Sequence, residues 1–210
     1  MPLLAYCVVL EEPPTNFPSS GVLGARIESV AESGVVVLCS EGEKTAISAG
    51  NFQQAALEFH RVIQACLAEK ATVPFRFPTW LAAEEIRAHL RQQASWYGEF
   101  LRRHAEHVQM EVRLAAPESG TLRAETGAEH LRYRAAQLRA VSAQADEVRK
   151  LAADTVIEWR ERENPAGIRL YALVSRKFVD AFREKLNRAP VRVSGPWPAT
   201  EFFEPHPAKN

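Results

Sequence analysis

The chain has 210 residues, of which 46% are hydrophobic and 25% charged, a composition typical of a globular protein with one large domain or two small ones. Lys plus Arg and Asp plus Glu number 26 each, so the formal net charge is zero. This balance excludes a dedicated nucleic-acid-binding protein, which needs a basic excess to bind phosphates.

The charge is nevertheless unevenly distributed along the chain. Residues 1–50 carry two basic and six acidic side chains, whereas residues 164–210 carry eight basic and four acidic ones. This gradient predicts attraction between the two halves, either within one chain or head to tail between copies, which would give a homo-oligomer.

The first half of the chain predicts a largely antiparallel sheet with helices on one face. Leu3–Leu10 is a continuous apolar run, typical of a strand buried on both faces. Ala25–Val30 and Val35–Ser40 flank a short turn and indicate a β-hairpin. The remaining predicted elements of this α+β domain, residues 1–107, are a helix capped by Asn51, a strand over Val73–Phe77 and a helix over about Ala82–His107.

The second half predicts another α+β domain, residues 108–210, so that the fold class is α+β with two small lobes of the ferredoxin-like kind. A strand over Val108–Leu114 is followed by a loop over Pro117–Gly127, near which we place the boundary. About 128–163 holds no Gly or Pro and predicts one long helix, whose apolar positions face either its own sheet or a partner helix. The last elements are a strand over Ile168–Val174, a helix over Ser175–Leu186 and a strand over Val191–Ser194.

The cysteines and the apolar runs indicate the compartment. Cys7, Cys39 and Cys66 are widely spaced and form no CxxC pair, which is typical of reduced core thiols in a cytoplasmic protein. The N-terminal apolar run stops at Glu11, and no other run approaches 18 apolar residues. We therefore expect no signal peptide, no membrane-spanning helix and no lipid-membrane partner.

No motif of catalysis or cofactor binding is present. The sequence lacks GxSxG, a P-loop and GxGxxG, and His104 and His107 have no third metal ligand at a suitable spacing. We therefore expect no catalytic residue, no metal and no cofactor, and hence no enzyme. One alternative stays open, a small-molecule sensor or cofactor-free enzyme with a pocket between sheet and helix, for which the candidates would be His60, Arg76 and Tyr97.

The first candidate protein-interaction stretch is the strand bracketed by Pro74 and Pro78. Alternation along this strand predicts that Phe75 and Phe77 share one face and that Arg76 points to the other. Arg76 is then either the anchor of an ion pair with an acidic residue or a contact for a ligand.

The second candidate stretch begins at Gly195. Pro196 and Pro198 restrict the backbone on both sides of Trp197, so that a large ring is held at little entropic cost, and Phe202 follows within reach of the same surface. The indole ring is either a lid on its own core or an exposed anchor for another protein.

Several blocks of this sequence occur in the same order in one known family. They are Leu4-Ala-Tyr-Cys-Val-Val9, Glu58-Phe-His60 with Val73-Pro-Phe-Arg-Phe-Pro-Thr79, Gln109-Met-Glu-Val-Arg113, Leu170-Tyr-Ala-Leu-Val-Ser-Arg176 and Gly195-Pro-Trp-Pro198. Their order and spacing resemble those of the gas vesicle synthesis protein family GvpL/GvpF, and the Gly-Pro-Trp-Pro block is the most specific of them. The chain departs from the family pattern at Pro78, Met110 and Ala199–Glu201, where Gly, Trp and Pro-Tyr-Ser are usual.

The resemblance implies an accessory or minor structural protein of the gas vesicle. Such a protein would bind the shell protein GvpA and other gas vesicle accessory proteins, assist assembly, and lie in the cytoplasm in association with the vesicle. A shell subunit that builds a gas-facing wall is strongly apolar, so a partner with aromatic and arginine-rich surfaces would shield it before assembly. No catalysis is needed for that role.

Overall fold

The computed structural model describes residues 1–16, 18–114, 127–164 and 167–203. The chain divides into two compact units, one made of Met1–Glu106 with Trp197–Asn210 and the other of His107–Pro196. Each unit contains an antiparallel sheet and two α-helices, which confirms the predicted α+β class. No helix among the described residues is both long and apolar enough to cross a membrane.

The predicted domain boundary lies where the second unit begins, but residues 197–210 group with the first unit rather than the second. The physical reason is aromatic packing, because Trp197 and Phe203 contact helices of the first unit. Folding of 1–107 and 108–210 as independent domains stays a prediction.

The first unit is built on a sheet with strand order β2-β3-β1-β4, in which the short strand β5 also pairs with β1. Its elements are β1 (Leu3–Leu10), β2 (Ile27–Glu32), β3 (Val35–Glu41), α1 (Phe52–Glu69), β4 (Val73–Pro74), β5 (Trp80–Leu81) and α2 (Ala83–Arg103). The predicted hairpin and both predicted helices are therefore confirmed, with ends shifted by a few residues.

Strand β1 is buried on both faces, and a helix covers each face. On one face Leu4 and Tyr6 pack with residues of α1, including Phe59. On the opposite face Val8 and Val37 pair in register and are fully buried, and α2 contacts β1, β2 and β3. The two helices of this sheet thus lie on opposite faces, whereas the sequence analysis placed them on one, because an unbroken apolar strand needs cover on both sides.

Two local predictions in this unit need correction. Asn51 is the N-cap residue of α1, as predicted, but its side chain makes no capping bond; its amide oxygen accepts from the Ser48 N–H at 2.7 Å and its amide nitrogen donates to the Ala46 carbonyl at 2.8 Å. Strand β4 ends at Pro74 instead of continuing to Phe77. Proline has no N–H for the ladder, and Pro74 and Pro78 therefore confine the regular pairing to two residues.

The second unit is built on a sheet with strand order β7-β8-β6-β9. Its elements are β6 (His107–Leu114), α3 (Gly127–Leu151), β7 (Val156–Asn164), β8 (Gly167–Ser175), α4 (Val179–Leu186) and β9 (Val191–Trp197), the last residue of which belongs to the first unit. The predicted loop over 117–126 lies outside the described residues.

The long helix predicted over 128–163 ends at Leu151, and the rest of that segment is β7. Thr155 closes the helix, since its backbone N–H and its hydroxyl both donate to the Ala152 carbonyl, at 3.0 and 2.9 Å. The residues beyond it pair with β8, and the ring of Trp159 packs against the core of this sheet. Sheet pairing has outweighed the absence of helix breakers, on which the prediction rested.

The helices of the second sheet lie on one face, as predicted. Alternate residues of β6 and β8 join one buried cluster with α3 and α4, and Phe182 is fully buried in it. Of the two predicted possibilities, the apolar positions at the end of α3 pack on the sheet of their own unit; they are Val141, Ala145, Val148 and Ala152. The side chains of Leu131 and Leu138, two further apolar positions of the predicted helix, lie outside the described residues.

All three cysteines are buried free thiols, as predicted. Burial raises the pKa of Cys39 to about 12, while hydrogen bonding with the Cys66 thiol and burial raise the pKa of Cys7 well above its ordinary value. The two thiols therefore stay protonated and unreactive at neutral pH.

Candidate protein-interaction site

The indole ring of Trp197 lies on helix α1. Its centroid is 5.2 Å from that of the His60 imidazole, and the side chain is half-buried. Pro198 and Ala199 behind it are buried, and the Thr200 N–H donates to the Pro198 carbonyl at 2.7 Å. The ring therefore packs on the His60 imidazole and is positioned by its own backbone, while the side chain as a whole stays partly accessible.

The two phenylalanines that follow have different roles. Phe202 is only 3% exposed and anchors the segment in the interior of the first unit. Phe203 is half-buried on helix α2, with its ring 4.5 Å from that of Phe100 and 5.2 Å from that of Trp96. Of the two, Phe203 has surface left for a partner.

The residues just before Trp197 connect this segment to the second unit. Gly195 has φ of 121°, a conformation that residues with a Cβ rarely adopt, so a glycine is required there. Its carbonyl accepts a hydrogen bond from the Arg183 guanidinium of α4 at 2.6 Å, and Pro196 is half-buried. The backbone is thus already ordered where the chain approaches Trp197.

The loop after β4 places its two phenylalanines on different helices. Phe77 is half-buried between Phe59 and the exposed Phe52 of α1, at centroid distances of 5.0 and 5.3 Å. Phe75 instead lies 6.1 Å from the His89 ring of α2. The predicted alternation of these residues fails because β4 has already ended at Pro74.

Arg76 lies in this loop with an exposed side chain. Among the described residues no carboxylate forms an ion pair with it, so the expected ion-pair anchor is wrong within that part of the chain. The reason is again the early end of β4, which leaves Arg76 outside the sheet, directed at solvent. Its backbone carbonyl accepts a hydrogen bond from the Thr79 hydroxyl.

The residues suggested for a small-molecule pocket do not converge. His60 is on α1 and Tyr97 on α2, on opposite faces of the first sheet, and the Tyr97 hydroxyl is 2.8 Å from the His89 imidazole nitrogen. A shallow cavity of the same unit, between the C-terminal ends of α1 and α2, has a lining that includes Glu11, Lys70 and Glu106 but none of the three candidates.

Sequence reasoning missed the ring cluster of Trp96, Phe100 and Phe203. Trp96 and Phe100 are four residues apart on α2, and helical spacing places them on one face. Phe203 is separated from Trp96 and Phe100 by about half of the sequence, and local spacing along a helix or strand predicts no contact over such a separation. Phe52, the first residue of α1, is apolar yet 48% exposed.

Comparison with known proteins places this arrangement in a family. The model of the family described as gas vesicle synthesis protein GvpL/GvpF matches residues 2–162. The crystal structure of the gas vesicle protein GvpF from Anabaena sp. PCC7120 is similar with a TM-score of 0.79 at 13% identity, over 98% of this chain and 97% of that one. GvpF from Microcystis aeruginosa gives a TM-score of 0.68 at 13% identity, over 92% and 94% of the two chains. Curated protein sequences gave no match.

The structural similarity at this low identity shows the shared fold, while the family model covers most of the sequence. The blocks that carried the resemblance lie between β1 and Pro198, just after β9, and the last two of them lie beyond the residues that the family model matches. The chain belongs to the gas vesicle synthesis protein family GvpL/GvpF.

Proposed function

We propose that this protein is an accessory or minor structural protein of the gas vesicle that binds the shell protein GvpA and assists vesicle assembly. Family membership supports a role in gas vesicle synthesis. The cytoplasm, in association with the vesicle, is the location where a partner of the shell subunit acts.

The observation that carries the proposal is the half-buried ring of Trp197, packed on His60 and fixed between two prolines. An aromatic side chain that is ordered before binding loses little conformational entropy when a partner covers it. Rings of this kind are the common energetic centres of protein interfaces, and an apolar shell subunit is the partner chemistry that they suit.

The test is capture of purified GvpA by the Trp197→Ala variant. We expect capture to weaken about tenfold or more, because truncation of a central aromatic costs about 2 kcal/mol at an interface, while the melting temperature stays near that of the wild type. Phe178→Ala is the control, since the Phe178 ring is likewise accessible to solvent, at 39%, but lies in the second unit.

Wild-type capture by a folded Trp197→Ala variant would overturn the proposal. If that variant unfolds, Trp197→Leu keeps apolar volume over His60 and separates packing from recognition. If the Trp197→Leu variant folds and captures GvpA as well as the wild type does, the indole ring is not the contact. If it folds and captures GvpA more weakly, the result supports the ring as the contact.

Self-association is a further part of the proposal. Residues 1–50 are acidic and residues 164–210 basic, so copies of the chain would attract head to tail, a contact that does not close on itself and extends along a growing wall. Sedimentation at low and high salt tests this, because screening weakens contacts between exposed charges. An oligomeric state that does not change with ionic strength would show that surface charge does not drive self-association.

A further inference from the structure

A row of arginines crosses the second sheet on the face opposite its helices. Arg113 of β6 is directly opposite Arg169 of β8, and Arg169 is directly opposite Arg162 of β7. The neighbouring strand β9 adds Arg192. We call these four residues the arginine row.

The register and the buried cluster establish which face carries the row. Met110 and Val112 of β6, like Leu170 of β8, belong to the helix-covered core, so Arg113 and Arg169, at alternate positions, lie on the other side. On β9 the same alternation applies, since Val191 and Val193 pack on the core. Arg192 therefore lies on the arginine side, where it lines a shallow cavity together with Arg113.

The row is accessible to solvent. The side chains of Arg113 and Arg169 are 53% and 41% exposed, and Arg162 and Arg192 are exposed as well. Across the described strand residues of this face there are five arginines, the fifth being Arg160, and two glutamates, Glu111 and Glu158. Gln109, Tyr171 and Leu173 lie on the same face but are buried, so the accessible part of this face is strongly basic in a chain whose net charge is zero.

Folding alone does not account for this arrangement. Like charges directly opposite each other on neighbouring strands destabilise a sheet, and three arginines stand opposite each other here. Glu111 offsets part of the cost, with its carboxylate 2.8 Å from Arg113 and 3.5 Å from Arg169. Glu111 also shows which group the row binds, because its carboxylate lies between the guanidinium groups of Arg113 and Arg169.

The spacing of the row defines the partner. Neighbouring strands are about 4.8 Å apart, so the arginines repeat at that distance across the sheet. On an α-helix, side chains three or four residues apart are about 5–6 Å apart. A helix that carries glutamates at such intervals and lies across the strands would therefore set one carboxylate against each arginine in turn.

We propose that the arginine row is a docking surface for an acidic α-helix of a partner protein. This surface belongs to the second unit and does not depend on the proposed role of Trp197, so either proposal can fail while the other stands. A partner bound here would be recognised by charge, and its affinity would fall with rising salt concentration.

The test uses a fluorescently labelled alanine-based helical peptide with glutamate at every third or fourth position, titrated with the full chain at low salt and followed by anisotropy. The variant is Arg162→Gln with Arg192→Gln, the two outer members of the row, which leaves the contacts of Glu111 with Arg113 and Arg169 in place. The control, Lys177→Gln with Arg188→Gln, removes the same charge from exposed positions of the same unit.

We expect the Arg162/Arg192 variant to bind the peptide about tenfold more weakly, because it loses two charge-assisted contacts. The control should bind the peptide like the wild type. Equal losses in both double variants would overturn the proposal, as would equal binding of a peptide with glutamine in place of glutamate. Tighter binding of a single-stranded oligonucleotide or of anionic lipid vesicles would assign the row to phosphates instead. Loss of self-association in the Arg162/Arg192 variant, measured by sedimentation without peptide, would make a second copy the occupant.

Discussion

The two sheets of the molecule are covered in different ways. The first has α1 on one face and α2 on the other, so its central strand β1 is buried from Leu3 to Val9. The second has α3 and α4 on one face, and its other face is open only in part: Arg113 and Arg169 are accessible, whereas Gln109, Tyr171 and Leu173 are buried. The comparison teaches that charged residues within an otherwise apolar strand mark the positions at which one face is open to solvent.

The strongest test of this difference is a charge placed on either face of the central strand. Val8 and Val9 point to opposite faces and are both fully buried. We expect Val8→Asp and Val9→Asp each to lower the free energy of unfolding by about 3–5 kcal/mol, since each buries an unpaired carboxylate. Urea unfolding followed by circular dichroism measures the loss.

At the end of the second sheet where the arginines lie, charge should be tolerated on one face only. Val112→Asp, on the helix-covered face, should be as damaging as either change in β1, because Val112 is fully buried. Arg192→Asp, on the exposed face, should leave the unfolding free energy within about 1 kcal/mol. A tolerant Val8 or Val9, or a sensitive Arg192, would contradict the assignment of covered faces.

The helix-covered side of the second sheet depends on one large ring. Phe182 is fully buried, with its ring 6.2 Å from that of Trp159, and Phe182→Ala should cost about 3–5 kcal/mol through the cavity that it leaves. The matched control is Phe178→Ala, just before α4, where the ring is 39% exposed. In thermal unfolding, the free energies of unfolding of the two variants should differ by more than about 2 kcal/mol, the lower end of the cost of truncating a buried large side chain.

In the first sheet a polar group is satisfied inside the core. The Tyr6 hydroxyl accepts from the Val22 N–H at 2.9 Å and is 2.8 Å from the Ser40 hydroxyl. We expect Tyr6→Phe to cost about 1–3 kcal/mol, because it leaves buried polar groups without a partner. The double variant with Ser40→Ala should recover part of that loss in urea unfolding, and an additive loss would contradict the shared hydrogen bond.

The covered face under α2 also predicts a pH effect. Burial raises the pKa of Tyr97 to about 12, above the value of about 10 that it has in the unfolded chain. Because the protonated phenol is favoured in the folded state, its stabilisation is complete below pH 10 or so and is lost as the pH rises towards 12. Unfolding measured at alkaline pH should therefore depend less steeply on pH in Tyr97→Phe, and identical slopes would show that Tyr97 titrates normally.

The smallest expected effect concerns the edge of the first sheet. The Thr72 hydroxyl is buried without a hydrogen-bond partner among the described residues. Thr72→Val keeps the shape and removes the desolvated hydroxyl, so we expect a change between zero and about 1 kcal/mol in the stabilising direction. A clear loss of stability on urea unfolding would reveal a partner for this hydroxyl.

Local pattern was sufficient to predict most of the elements. The apolar run of Leu3–Leu10, the hairpin and the amphipathic faces of α1 and α2 each report burial directly. The long helix failed beyond Leu151, because the pairing of β7 with β8 is a contact between segments that no helix-propensity argument contains. The apolar residues at every position of β1 already imply that α1 and α2 lie on opposite faces of the sheet.

The candidate site was predicted less completely. The order Pro196, Trp197, Pro198 identified a rigid aromatic segment from sequence, and the structure places its ring on α1. The exposure of Arg76 depended on where β4 ends, and the ring contacts of Phe203 depended on the return of the chain to the first unit. Both depend on tertiary contacts rather than on local spacing.

The return of the chain at Trp197 has a consequence for biosynthesis. The first unit is interrupted by the whole of residues 107–196, so the ribosome has to synthesise the second unit before the segment that completes the first one exists. At about 5–20 residues per second this delay lasts roughly 5 to 20 s. During it, the surfaces of His60, Trp96 and Phe100 that later receive Trp197 and Phe203 stay uncovered on the nascent chain.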